Sequence, residues 1–187
     1  MANELEKNIE KSLKKLELVN LWISNCDTKA SLILAFLGII VTIIFTSNIG
    51  GEMINTIEYK AVWQVNCLSL KLFFRLFSSV IFCASTAFSF VQLGMTLYGR
   101  VNPNKYNQTG VKMQSNLFWK TIQNKKFIDF ESQSNSEPDN SYLNDINSQV
   151  FINSKIAQAK FRHYNLSLLS TGVALISFFI FVFLNNL

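Results

Sequence analysis

The sequence predicts an all-α membrane protein of three transmembrane helices with cytoplasmic helical extensions, and three uncharged runs predict it. No charged residue lies between Lys29 and Glu52, which leaves Ala30–Gly51 as the first run. A helix rising ~1.5 Å per residue crosses a hydrocarbon core of about 30 Å with about 20 residues, and this run is long enough to do so. Leu76–Gly99 is a second run, closed by Arg75 and Arg100, with Trp63 ahead of it and Tyr98 at its end as interface aromatics. Tyr164–Leu187 is a third of similar length, following Arg162 and His163. The composition agrees, because 49% hydrophobic residues and 17 Phe are gathered in blocks instead of being spread along amphipathic elements. The first run does not read as a cleaved signal peptide, since the long and densely charged segment Met1–Lys29 precedes it. Four parts follow: a cytoplasmic amphipathic helix over 1–29, two spans with a short outer loop over 30–100, a cytoplasmic loop and polar linker over 101–141, and a long helix over 142–187 ending in the third span.

Orientation follows from the basic residues, which cytoplasmic flanks retain. Five Lys precede the first span, three Lys or Arg lie between the first two spans, and nine lie between Arg100 and His163. This places the N-terminus and the second loop in the cytoplasm of a multi-pass inner-membrane protein. Lys71 and Arg75 run against that bias, since both flank the second span on its outer side.

Along residues 1–29, Leu5, Ile9, Leu13, Leu16 and Val19 or Asn20 recur at helical spacing, with Lys7, Lys11 and Lys15 in a row and Glu10–Lys14 as a favourable i, i+4 pair. The apolar face suits a solvated helix, a lipid surface or a seam with sister chains. Ser24-Asn25-Cys26-Asp27 approaches a capping box that would hinge the chain at the membrane; the alternative is one helix from Glu4 to Phe45. Asp27 and Lys29 sit at the interface in either case, where one stays hydrated and the other snorkels. In the second span, small residues that include Ser85 and Gly94 allow close helix packing, in keeping with a homo-oligomer, and Gln92 suits a hydrogen bond to a neighbouring helix. Asn102-Pro103-Asn104 signals a turn. The aromatic and basic segment Asn116–Phe130 folds onto some surface, whereas Glu131–Ser141 reads as a polar, disordered linker. From Tyr142 a helical period at Leu143, Ile146, Val150, Ile156 or Ala157, Phe161 and Tyr164 leads without a break to about Leu184.

The inventory of chemical groups points away from an enzyme. His163 is the single histidine, and Cys26, Cys67 and Cys83 fall in three different environments, so neither a catalytic constellation nor a metal site is expected. No phosphate-cradling Gly loop and no nucleophile elbow occurs. Three lysines among aromatics, with no recognisable module, predict no DNA or RNA partner. The second loop, from Arg100 to His163, lacks the strand-and-turn alternation of a β-barrel cyclic-nucleotide domain.

The segment Trp22–Ile40, WISNCDTKASLILAFLGII, resembles the signature of the Pycsar effector transmembrane family, whose first span is entered through an Ala-Asp-x-Lys-Ala-small motif. Asp27, Lys29, Ala30 and Ser31 match it, while Cys26 stands where the family commonly has Ala. The order of parts is also similar: a second span, an aromatic segment where Phe118-Trp119-Lys120 replaces the family's Phe-Phe-Gly, and a polar helix with Gln149, Ile156, Ala157 and Lys160 entering a last span. The two-span SLATT-like effectors are similar in outline. The resemblance implies an antiphage effector that disrupts the inner membrane when a partner nucleotide cyclase makes cyclic CMP or cyclic UMP. Asp27, Lys29, Ala30 and Ser31 are expected to form an interface motif with a gating role, since charges at the interface fix how deep the first span lies, and the nucleotide-contacting residues are unassigned. The competing reading is a constitutive structural or scaffold protein of the inner membrane, without a nucleotide response.

Overall fold

The computed structural model describes residues 2–58, 70–99 and 106–186, and the described residues are helices and loops. Among them the helices follow in the order α1 (Ala2–Thr46), α2 (Asn48–Glu58), α3 (Leu70–Leu97), α4 (Trp119–Ile122), α5 (Phe127–Ser136) and α6 (Asp139–Asn186). Helices α1, α3 and α6 are long and apolar enough to cross a membrane. The chain divides into two compact units, Met1–Cys26 with Tyr98–Lys160, and Asp27–Leu97 with Phe161–Leu187. Helices α1 and α6 contribute residues to both without a break.

In the second unit, two apolar clusters hold the spans together. Ala30, Leu37 and Leu93 form one, flanked by Ile33, Leu34, Phe90, Leu97 and Tyr164. Ile44, Met53, Phe82, Ala174 and Phe181 form the other, with α2 delivering Met53. The opposite faces are bare and apolar: Leu32, Ile39, Val91, Leu169, Ile176 and Phe179 are each more than 60% exposed. Water would penalise such a surface, and lipid tails do not. Between the clusters runs a polar seam, where Ser89 Oγ lies 2.8 Å from Thr171 Oγ1 and 3.1 Å from the Ser167 carbonyl oxygen. Further along, Gln92 Oε1 lies 2.7 Å from His163 Nδ1, so the lone histidine is tied to the second span instead of standing at the surface.

Several boundaries differ from the sequence reading. Of the two alternatives at the entry to the first span, helix α1 takes the unbroken one, with Cys26 and Ala30, one turn apart, both fully buried. It ends at Thr46, short of Gly51, and α2 occupies the start of the expected outer loop. The corner needs Gly50, since a Cβ there would meet the Ile44 carbonyl oxygen and come within 2.8 Å of Phe45 Cα. Helix α3 begins at Leu70, ahead of the uncharged run, and so carries Lys71 and Arg75 within its first two turns. Tyr59, Trp63, Cys67 and the turn at Asn102-Pro103-Asn104 lie outside the described residues. The expected linker Glu131–Ser141 is instead the body of α5 and the start of α6. Pro138 supplies the opening of α6, its carbonyl accepting from Ser141 N at 2.8 Å and Tyr142 N at 3.0 Å, and Glu137 before it is extended.

The α1–α2 corner yields a direct expectation. Gly50→Val should lower thermal stability in detergent by several degrees, on the order of 2 kcal/mol from strain and displacement, while Gly51→Val, where added bulk meets nothing within 4 Å, should not.

Candidate functional site

In the first unit, the segment from Gln108 to Leu117 is laid against the N-terminal part of α6, and a buried ionic knot pins it there. Glu137, the extended residue between α5 and α6, accepts from Lys112 Nζ, from Asn116 Nδ2 at 2.8 Å and from Ser141 Oγ at 3.0 Å. Asp145, two turns into α6 and fully buried, accepts the Asn116 backbone N–H at 2.8 Å, and Lys112 Nζ stands 3.9 Å away. Its other oxygen, Oδ1, is buried without a hydrogen-bond partner among the described residues. The Lys112 backbone N–H donates to Ser148 Oγ at 2.9 Å, and Lys125 Nζ reaches Asn116 Oδ1 and Gln133 Oε1. Burial alone would raise the Glu137 pKa, but the hydrogen bonds from Lys112, Asn116 and Ser141, with the Lys112 charge, hold it below the usual carboxylate value. Two carboxylates and one ammonium are thereby committed to holding a loop.

That loop walls a groove of about 320 Å³ lined by Gln108, Thr109, Val111, Asn144, Asn147 and Phe151. Gly110, at φ 88°, sits in the left-handed region and lets the turn close, with Val111 N donating to Gln108 O at 3.1 Å. The lining carries amides, hydroxyls and one aromatic ring but no charge, so it suits a flat, neutral, hydrogen-bonding group. The Lys155 ammonium lies 5.5 Å from the Phe151 ring centre and places a cation beside the groove. Asn147 Oδ1 accepts from Ser12 Oγ at 2.8 Å, and Asn153 Nδ2 donates to Asn20 Oδ1 at 2.9 Å, so α1 is attached to the groove's own helix. The apolar face of α1 is engaged here: Val19 is buried, Leu5, Ile9, Leu13 and Leu16 are half-buried, and Lys7, Lys11 and Lys15 are exposed.

The residues singled out in the sequence are placed elsewhere, in the second unit. Ala30 is fully buried in the cluster with Leu37 and Leu93, Asp27 is half-buried, and Lys29 and Ser31 are exposed, so the motif has one packing side and one open side. Ser85 is half-buried, with its hydroxyl donating to the Ile81 carbonyl of its own helix. Gly94 is exposed, and a Cβ there would meet nothing within 4 Å. The tight contacts that α3 makes within the chain fall instead at Ser79 and Ser89. The sequence reading does not reach Lys112, Asn116, Glu137, Asp145 or Ser148. The available signal is Asp145 beside Ile146 on a face that continues through Gln149 and Ile152, a carboxylate on a helix stripe that is otherwise buried.

Comparison with known proteins adds to this geometry. The family model described as the Pycsar effector protein domain matches residues 11–185. The chain is 34% identical over 161 residues to the Pycsar effector protein GmPycTM of Gulbenkiania mobilis, covering 83% of this chain and 82% of that protein. No solved structure matches.

The knot has a pH signature. A carboxylate whose pKa is depressed on folding stabilises the fold above its ordinary value of 4.5, and that stabilisation is lost as pH falls through the lower folded value. The protection factors of the Lys112 and Asn116 amides, their exchange rates taken relative to the unfolded chain at the same pH, should therefore fall on acidification below the ordinary carboxylate range. Glu137→Gln should cost about 1.5–3 kcal/mol at neutral pH and flatten that dependence.

Proposed function

The chain belongs to the Pycsar effector family, the membrane effectors of antiphage defence, and from that membership we propose that it responds to a cyclic pyrimidine mononucleotide by disrupting the inner membrane. The observation that carries this reading is the extent of the match, residues 11–185, which takes in both the unit holding the groove and the unit holding the spans. A cyclase of the same defence system supplies the signal. The protein acts as a non-enzymatic effector whose output is a change in its own spans, and family membership favours this over a constitutive scaffold.

The nucleotide enters the groove of the first unit. Asn144, Asn147 and Gln108 carry both donors and acceptors and so match the edge of cytosine or uracil, while Lys155 answers the cyclic phosphate. Asn147 is the coupling residue, because a base that takes its amide competes with Ser12 and loosens α1. Since α1 continues unbroken to Thr46, a shift at Ser12 reaches Asp27 and Lys29, which set the depth of the first span. The N-terminus and the second loop lie in the cytoplasm, and several chains assemble through bare faces such as the one carrying Gly94.

Three measurements test this reading. Equilibrium dialysis of the full-length protein in detergent should detect cyclic CMP or cyclic UMP, and Asn147→Ala and Lys155→Ala should each weaken binding about tenfold or more while the protein accumulates normally. Binding that is unchanged in both variants removes the groove from the proposal. In cells given the nucleotide, Asp27→Asn and Lys29→Leu should insert normally yet lose membrane depolarisation or show it without signal; wild-type behaviour in both would take the motif out of gating. A membrane-impermeant reagent on intact cells should label a cysteine placed at exposed Asn55 and spare one at exposed Ser134.

A further inference from the structure

At the end of the membrane unit where α1 and α6 terminate and α3 begins, a pocket of about 580 Å³ is lined by Glu52, Asn55, Thr56, Lys71, Arg75 and Asn185. Its charges do not neutralise one another. Glu52 accepts from Asn185 Nδ2, Arg75 Nη2 donates to Thr56 Oγ1 at 3.5 Å, and no ion pair joins Glu52 to Lys71 or Arg75 among the described residues. Arg75 Nε is buried without a hydrogen-bond partner there, and the guanidinium carbon stands 5.5 Å from the Phe181 ring centre. A buried guanidinium Nε–H left without an acceptor is costly unless something else answers it. Lys71 and Arg75 are one turn apart on α3, the spacing that turns two cations to one side of a helix. These are also the basic residues that oppose the charge bias of the chain, so topology gives no reason for them.

We propose that this pocket binds the headgroup of an aminophospholipid, with the phosphodiester between Lys71 and Arg75 and the ammonium at Glu52. Separated cations and a carboxylate in one pocket match a ligand that carries both charges. The setting supplies it, because α3 enters its apolar run immediately after Arg75 and a headgroup reaching the pocket keeps its tails along the bare helix faces. The volume lies within the range of small-molecule sites. Phosphatidylethanolamine satisfies Glu52 with a hydrogen-bonding ammonium. Phosphatidylcholine offers a cation without N–H donors, and phosphatidylglycerol offers no cation.

Native mass spectrometry of the full-length protein, equilibrated in mixed micelles with equal amounts of the three lipids, tests the assignment. The wild type should retain phosphatidylethanolamine about tenfold over the other two. Lys71→Gln, at an exposed position that leaves the fold undisturbed, and Arg75→Gln should each reduce that retention about tenfold. Glu52→Gln should abolish the preference over phosphatidylglycerol while keeping binding to phosphate. Equal retention of all three lipids by the wild type overturns the proposal, as does wild-type retention in Lys71→Gln. A parallel arm adds millimolar inorganic phosphate: displacement of the bound lipid would reveal a simple anion site and also overturn it, whereas persistence of the lipid supports the headgroup.

Discussion

Hydrocarbon offers no hydrogen-bond partner, and that single constraint shapes the membrane unit. Each span must close its own backbone ladder, so the three are helices, and most side-chain hydroxyls are answered from within, Thr86 Oγ1 being buried without a hydrogen-bond partner among the described residues. Thr42, Thr46, Ser79 and Thr96 do this by bonding to carbonyls one turn back in their own helices. Ser89 and Thr171 do it across the α3–α6 seam, and Gln92 and His163 repeat the solution nearer the aqueous boundary. Polar contacts are thus the specific ties between spans whose outer faces are interchangeable apolar surface.

The two units treat charge differently. In the first unit, Lys112, Glu137 and Asp145 are gathered and paired, so their electrostatics go into fixing one loop on α6 and shaping the groove beside it. In the second unit, Glu52, Lys71 and Arg75 share a pocket with no ion pair joining them among the described residues. A paired cluster rigidifies and has little left to offer a ligand, while an unpaired set retains its capacity to interact. The groove itself is uncharged, which moves recognition there to amides and hydroxyls.

The family assignment and the geometry meet in α1 and α6. Each is one helix that contributes residues to both units. The boundary between the units falls between Cys26 and Asp27, within the segment that resembles the family signature. Ala30 anchors that segment by packing against Leu37 and Leu93, and Lys29 and Ser31 remain on its open side.

Three spans, their approximate extents, the helical face from Leu5 to Val19 and the continuous run from Tyr142 were all legible in the sequence. Hydropathy over the length of a span and the helical period are local properties, and burial of an apolar stripe needs no knowledge of its partner. The family was legible too, through Asp27, Lys29, Ala30 and Ser31. Tertiary structure alone decided where α1 stops, because the corner at Gly50 depends on the close approach of α2 to Ile44 and Phe45. It decided that Glu131–Ser136 is helical, since polar composition is compatible with solvated helix and with coil alike. The ionic knot was invisible for the same reason: Lys112 and Asn116 meet Glu137 and Asp145 from a separate stretch of the chain, and only the folded loop brings their charges within reach.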